Sequence, residues 1–436
     1  MGEWTTEPLD DCLESLIDYR GKSPTKSLTG IPVLSAKVVK TTGLLRPIEQ
    51  TIAPDYYPKW MTRGLPRPGD IVMTTEAPMG EVIQLNAETC KFALGQRIVC
   101  MRGKAKKLDN TFLRYLLTSP GQQEILASYS TGTTVLGISQ KALRSVPISF
   151  PDFDEQVEIG ELLSALDDKI ELNRRMNETL EASARALFRD WFVDFGPVKA
   201  KVANAPATLA PEIWSLFPAQ LDDEGKPEGW EWGTLGDYAK IQNGFAFSSN
   251  DWAESGVPVV KIGSVKPGLV DLGQVSFVSE QLANERVAFR LNAGDMLIGL
   301  TGYVGETGFV PPTPCLPLLN QRVGRLIPNK YASAFTFCAL RNPEFKEYAV
   351  AQSHGSAQAN VSTKSLLEYP LPLIPEQLIK SFEIAVAPLF SQILHNFGES
   401  RTLAQTRDRL LPKLMSGEIR VADAARAADD AAGVAL

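Results

Sequence analysis

Gly30-Ile31-Pro32-Val33 returns in the second half of the chain as Gly256-Val257-Pro258-Val259, and the pieces around it return in the same order. Pro68-Gly69-Asp70-Ile71 becomes Ala293-Gly294-Asp295-Met296, and Leu94-Gly95-Gln96-Arg97 becomes Leu319-Asn320-Gln321-Arg322. Gly132, Ser139, Lys141 and Pro147 match Gly355, Ser362, Lys364 and Pro370 at one constant offset, and Glu155-Gln156 is echoed by Glu376-Gln377 after a small indel. So many matches in order mark an internal duplication. Each copy opens with short β-like runs, such as Ile31-Pro32-Val33-Leu34, Asp70-Ile71-Val72-Met73 and Arg97-Ile98-Val99-Cys100, punctuated by Gly, Pro and polar turns. One helix-like stretch interrupts each copy, over 110–128 and 332–352. Asp70 and Asp295 follow glycine, where aspartate reads as a turn residue leading into a strand rather than as a catalyst.

Each copy then runs into a long amphipathic segment. Leu163, Leu166, Ile170, Leu180, Ala184, Leu187 and Trp191 recur at steps of three and four, and Val386, Leu389, Ile393, Leu403, Leu410 and Leu414 form the same stripe. Asn173 and Asn177 interrupt the first stripe; Asn396 and Ser400 interrupt the second at equivalent positions. Polar residues at matching heights can pair and fix register. In an antiparallel pair they would meet near the middle of the stack. A helix over 155–191 would be about 54 Å long at 1.5 Å per residue. Pro388 should kink or break the second helix unless the continuous part begins there.

With 436 residues, 44% of them apolar, the chain can bury two or three sizeable cores. No apolar run is long enough to span a bilayer and residues 1–4 do not resemble the start of a signal peptide, so a cytoplasmic location is expected. Cys12, Cys90, Cys100, Cys315 and Cys338 are odd in number and form no C-x-x-C pair, which fits buried reduced thiols better than disulfides or zinc. His354 and His395 are the sole histidines, and neither is assigned chemistry. The net charge of -7 disfavours a nucleic-acid partner at first sight, but it is unevenly spread. Residues 1–150 hold 18 Lys and Arg against 14 Asp and Glu, whereas 151–195 hold 5 against 12. The acidity thus sits in the first long helix, as a face for a protein partner or for solvent.

Tests for a reaction centre fail one after another. No G-x-x-x-x-G-K-[ST] loop and no G-x-G-x-x-G between strand and helix occurs. Gly299, Gly302, Gly305 and Gly308 could cradle phosphate, but the first copy retains only Gly80 opposite Gly305, so a hairpin turn is the better reading. Asn342-Pro343-Glu344-Phe345 is similar to the Asn-Pro-Pro-Phe motif of adenine methyltransferases, yet its counterpart is Ser119-Pro120-Gly121-Gln122. Both read as a helix N-cap followed by proline. Asp70, Glu76 and Glu81 have no lysine in a nuclease arrangement.

Pro147-Ile148-Ser149-Phe150-Pro151 running into Asp154-Glu155-Gln156, and Pro370-Leu371-Pro372-Leu373-Ile374-Pro375 running into Glu376-Gln377, carry a resemblance that nearly the whole layout shares. Together with the helix ends Ala186-Leu187-Phe188-Arg189-Asp190-Trp191-Phe192 and 410–419, they resemble the specificity subunit of type I restriction-modification systems. The resemblance implies an α+β fold: two mixed α/β target-recognition domains separated by two long helices packed as an antiparallel coiled coil, with an internal pseudo-twofold repeat. The expected boundaries are 1–153 for the first recognition domain, 154–195 for the central helical spacer, 196–229 for a linker, 230–375 for the second recognition domain, 376–420 for the distal helical spacer, and 421–436 for a frayed or disordered tail. It further implies a non-catalytic chain that binds a bipartite double-stranded DNA target, one half-site per domain. The expected partners are two methyltransferase subunits and, in a restricting complex, two motor-nuclease subunits. S-adenosylmethionine belongs to the methyltransferase, and no cofactor or metal to this chain. The alternatives are a self-contained methyltransferase or nuclease with an unrecognised centre, and a duplicated adaptor that uses only its helices.

The repeat sorts residues by role. Identical positions, such as Gln96 and Gln321, Arg97 and Arg322, or Lys141 and Lys364, cannot alone read two different half-sites and suit scaffold or phosphate contacts. Base readers should come from divergent loops: Lys22, Lys26, Lys37, Arg63, Arg67 and Thr133 in the first copy, Phe245, Lys261, Lys266, Tyr303 and Gln358 in the second.

Overall fold

The computed structural model describes residues 4–19, 23–132, 135–273, 275–354 and 359–434. The chain divides into two compact units, Met1–Ile170 with Arg401–Leu436, and Glu171–Ser400.

The strands of the first unit are β1 (Thr5–Pro8), β2 (Leu13–Asp18), β3 (Ile31–Leu34), β4 (Val39–Lys40), β5 (Gly43–Leu44), β6 (Thr51–Ile52), β7 (Ile71–Thr75), β8 (Met79–Gln84), β9 (Ala93–Leu94), β10 (Ile98–Gly103) and β11 (Pro147–Phe150). Its helices are α1 (Leu9–Cys12), α2 (Tyr57–Trp60), α3 (Asn110–Thr118), α4 (Pro120–Ser128), α5 (Gln140–Arg144) and the first part of α6 (Phe153–Phe192). The main sheet has the order β2-β10-β7-β8. Side chains alternate across a strand, so β7, buried at every residue, must serve two apolar faces. Ile71 and Met73 enter one core with Val99 and Met101, while Val72 enters another with Ile98 and Cys100. A smaller sheet has β3 antiparallel to β6 and parallel to β9.

The second unit repeats this plan with β12 (Glu231–Thr234), β13 (Ala239–Asn243), β14 (Trp252–Ala253), β15 (Val257–Val260), β16 (Val265–Lys266), β17 (Gly268–Val270), β18 (Ser276–Val278), β19 (Met296–Gly299), β20 (Thr307–Phe309), β21 (Leu318–Leu319), β22 (Val323–Pro328) and β23 (Pro370–Leu373). Its helices include α7 (Gly196–Val202), α8 (Pro211–Trp214), α9 (Glu280–Glu285), α10 (Ser333–Leu340), α11 (Pro343–Ala351), α12 (Thr363–Leu367) and most of α13 (Glu376–Met415). The sheet β13-β22-β19-β20 reproduces β2-β10-β7-β8, and β15 lies between antiparallel β18 and parallel β21 as β3 does between β6 and β9. Gly30 and Gly256 recur for a steric reason. Their φ angles are +140° and +129°, and a Cβ would lie 2.1 Å from the Ile52 carbonyl oxygen and 2.3 Å from that of Val278.

Several expectations need amending. Each helix-like stretch is two helices: in the first the Ser119 hydroxyl accepts from the Gln122 amide with Pro120 opening α4, whereas in the second Pro343 opens α11 after Asn342, whose side chain makes no capping hydrogen bond. The Gly-rich stretch is the hairpin connecting β19 to β20. Residues 196–229 are not a free linker, since Val198 and Phe217 are buried in the second unit's core. Nor is 421–434 a frayed tail. It forms α14 (Val421–Val434), which seats the small side chains of Ala424 and Ala428 in the first unit's core. Cys12, Cys100 and Cys338 are buried, whereas Cys90 and Cys315 are only half-buried. No helix among the described residues is long and apolar enough to cross a membrane.

Helices α6 and α13 have 40 residues each, about 60 Å at 1.5 Å per residue. Helix α13 is continuous through Pro388, where the sequence suggested a break. Pro388 and Ile384, whose carbonyl loses its helical donor there, both lie on the exposed face. Within the second unit the two helices run antiparallel: Asn173 Nδ2 donates to Ser400 Oγ at 3.2 Å, and Asn396 Nδ2 donates to Asn177 Oδ1 at 2.8 Å. The positions equivalent in sequence are therefore crossed in space, as a local twofold axis requires. Within the first unit, Asp167 of α6 accepts from Arg407 Nη1 of α13 at 2.5 Å and from Arg114 Nη2 and Tyr115 Oη of α3, each at 2.7 Å.

Candidate nucleic-acid interface

Antiparallel pairing brings the end of β2, the start of β10, the end of β7 and the start of β8 to one end of the first unit's sheet. Arg97 stands there, just before β10. Its carbonyl accepts from the Thr75 amide at 2.8 Å, and its exposed guanidinium lies 3.6 Å from Glu76. Glu76 opens the turn to β8 and bridges to Gly137, which also bridges to Thr131. The hairpin tip thus abuts Thr131 and Gly137. Arg63 reaches the same end: it donates to the Asp18 carbonyl at 2.6 Å, and its guanidinium lies over the Tyr19 ring. Burial pushes the Tyr19 phenol up, so its oxygen stays protonated, accepting from the Arg63 amide while facing the Gly64 carbonyl.

The second unit builds the same end. The Arg322 carbonyl accepts from the Leu300 amide at 3.0 Å, Thr301 bridges to Asn360, and Asn360 bridges to His354. Tyr303 is 62% exposed at this hairpin tip. Phe245 sits beside Gln321, whose amide donates to its carbonyl at 2.9 Å. In both units the repeated arginine and a divergent loop converge, a juxtaposition that separate stretches of sequence gave no direct means to foresee.

The remaining candidates fall in different places. Lys37 follows β3 on the side where the Leu34 carbonyl accepts from Gly95, and it forms a highly exposed pair with Glu49. Arg67 lies at the opposite end of the sheet, its amide donating to Asp70 and its guanidinium 3.4 Å from Glu14. Asp70 is buried there and receives Arg102 in two 2.7 Å hydrogen bonds, so this turn is structural; Asp295 and Arg325 repeat the ion pair at 3.2 Å. Lys26 is exposed and precedes β3, next to Ser27, which bridges to Thr51. Lys261 is engaged internally, 3.8 Å from the Trp252 ring centroid and 2.7 Å from Ser276 Oγ. Phe245 packs against Phe247, Phe289 and Arg286. Lys266 lies in β16, the counterpart of Lys40 in β4, so it occupies a repeated position rather than a divergent one. Lys141 and Lys364 are exposed on α5 and α12, capped by Ser139 and Ser362. Lys22, Thr133 and Gln358, with Gly355 of the repeat, lie outside the described residues.

The profile of the type I restriction modification DNA specificity domain matches residues 1–182 and 227–378, most of the chain and once in each copy. The chain belongs to this family. It is a specificity subunit, the recognition component rather than the catalytic one. It is 25% identical to the HindI specificity subunit of Haemophilus influenzae, over 80% of this chain and 86% of that one. To the MjaIX specificity subunit of Methanocaldococcus jannaschii it is 27% identical, over 81% and 78%. The fold is shared with the type I restriction-modification S subunit from M. genitalium, at a TM-score of 0.54 and 19% identity over 95% of this chain and 96% of that one. Two mixed α+β recognition domains and their long helices are thus the architecture of this specificity subunit.

Proposed function

We propose that this specificity subunit reads a bipartite double-stranded DNA target, one half-site at the described end of each recognition sheet. The observation that carries the reading is the pairing, in both units, of an exposed repeated arginine with loops that differ. Arg97 and Arg322, with Lys141 and Lys364, serve as sequence-independent phosphate contacts. Arg63 and Lys37 in the first domain and Tyr303 in the second remain base-reading candidates. Lys22, Thr133 and Gln358, which lie outside the described residues, are retained from sequence alone. Arg67 stands away from this end, Lys26 is retained from sequence alone, and the contacts of Phe245 and Lys261 fit them better for shaping the end.

Half-sites about one helical turn apart lie roughly 34–36 Å from each other, within the reach of helices about 60 Å long. The helices would hold the readers at a fixed spacing and dock two methyltransferase subunits, which bring S-adenosylmethionine, and two motor-nuclease subunits in a restricting complex. The setting would be the cytoplasm. The test is methyl transfer to a randomised DNA library by this chain, alone and with its methyltransferase. A two-part motif with an unread spacer, seen only with the methyltransferase, supports the reading. Activity from the chain alone would overturn it, and absence of both methylation and binding would favour the adaptor.

A further inference from the structure

Resting on the reading above, we infer that Glu76 is a specificity-determining residue that confines one position of the first half-site to cytosine. The backbone around it is pinned identically in the two domains. Thr75 donates to the Arg97 carbonyl and Ile138 to the Thr75 carbonyl, at 2.8 and 3.0 Å; Leu300 donates to the Arg322 carbonyl and Val361 to the Leu300 carbonyl, at 3.0 and 2.9 Å. On this shared frame the next residue differs: Glu76 in the first domain, Thr301 in the second. Both stand beside the repeated arginine, at the tip bridged to the second loop.

A carboxylate is an unexpected group at a surface meant for DNA, because phosphates repel it. Glu76 is not consumed by the fold. Its side chain is 45% exposed, and its one ion pair among the described residues, with Arg97 at 3.6 Å, is long and exposed. An ionised carboxylate only accepts hydrogen bonds. In the major groove the amino donors are cytosine N4 and adenine N6, and adenine sets the N7 acceptor beside its amino group. A carboxylate is repelled by that N7 lone pair, whereas the neighbour of cytosine N4 is a C–H. Arg97 neutralises the carboxylate locally and leaves a second oxygen to accept. Thr301, whose hydroxyl lies 2.8 Å from Asn360 Oδ1, carries no such restriction, so the two domains differ in charge where their frames coincide.

The test uses the complex of this chain with its methyltransferase on the randomised library, with methylated sites sequenced. The wild type should show cytosine at a position of one half-site. Glu76→Gln, whose amide can donate as well as accept, should admit other bases there by roughly ten-fold, leaving the other half-site unchanged. Thr301→Val is the mirror control and should alter only the other half. Thermal melts of each variant confirm that the fold is intact. A half-site without cytosine, or a motif untouched by Glu76→Gln, overturns the inference alone. A wild-type complex that yields no two-part motif overturns the reading on which it rests.

Discussion

Replacing Asp167 with alanine should loosen the first recognition domain from the long helices and leave the second domain unaffected. Asp167 is 15% exposed and receives three donors from two other helices: Arg114 and Tyr115 of α3 and Arg407 of α13. Burial pulls the Arg407 guanidinium down, but its hydrogen bond and charge pairing with Asp167 outweigh this and hold it above the ordinary range. Burial pushes the Tyr115 phenol upward, so it remains a donor at any working pH. Removing one partner of a fully buried pair costs about 3–5 kcal/mol. The arginine side chains are 23% and 28% exposed, so solvent reclaims part of that loss, and about 2–3 kcal/mol is expected. Asp167→Asn keeps an acceptor and should lose about half as much. A single unfolding free energy is ill defined for two units, so the suitable assay is native-state hydrogen exchange resolved by peptide. At 1.4 kcal/mol per decade, opening of 110–118 should become roughly 30- to 140-fold more frequent, with 333–340 unchanged. Unaltered protection in 110–118, or equal loss in both peptides, would refute the reasoning.

The polar layer of the helix pair makes a different prediction: Asn177→Leu with Asn396→Leu should keep or raise the melting temperature, since a buried polar pair gives way to apolar packing. The register should become degenerate, and the complex should then methylate sites with more than one spacer length; a single retained length would argue against a register role. Arg322→Ala should weaken binding similarly on specific and random DNA and reduce the slope of log K against log salt by about 1, measurable by titration; a changed motif would contradict a phosphate role. Burial pushes the Cys12 thiol up to about 11 and those of Cys100 and Cys338 well above their usual value, so at pH 8 native protein should react with a maleimide rapidly at Cys90 and Cys315 alone. A copy of the first recognition domain grafted in place of the second should express poorly, because it sets Arg114 where Phe337 meets Phe390; Phe390→Asp with Ala184→Arg should restore it, and good expression without them would count against the match.

Much of this was legible in the residues because duplication exposes what physics demands twice. Gly30 and Gly256 recur where any Cβ would strike a neighbouring carbonyl, and Asp70 and Asp295 recur because a turn and an arginine both need the carboxylate. The helical stripes announced α6 and α13 through their three-and-four spacing. Composition misled where packing decides. Ala-rich 421–434 and Pro-rich 196–229 look unstructured by residue type, yet small or isolated apolar side chains such as Ala424, Val198 and Phe217 suffice to dock them against cores formed elsewhere. The candidate interface was legible in kind and not in place. Lys37, Arg63 and Arg67 look alike in sequence, and only strand order separates the end holding Arg63 from the end holding Arg67.

The same logic explains a difference that sequence repetition would hide. Arg114, Asp167 and Arg407 form an ionic cluster in the first unit, while their counterparts Phe337, Phe390 and Ala184 form an apolar one in the second, with the two rings 4.5 Å apart. Strand order, turns and helix register are held in common, so nothing in the frame itself prevents one recognition domain from docking where the other belongs. Opposed chemistry at the seats does: a guanidinium brought against Phe390 would be buried without a carboxylate, and Phe337 brought against Asp167 would leave that carboxylate short of a donor. A bipartite target has a direction, with one half-site before the other. On the proposed reading of one half-site per domain, keeping that direction would require each seat to reject the wrong domain, and the ionic seat of the first unit and the aromatic seat of the second differ in the chemistry such rejection would need.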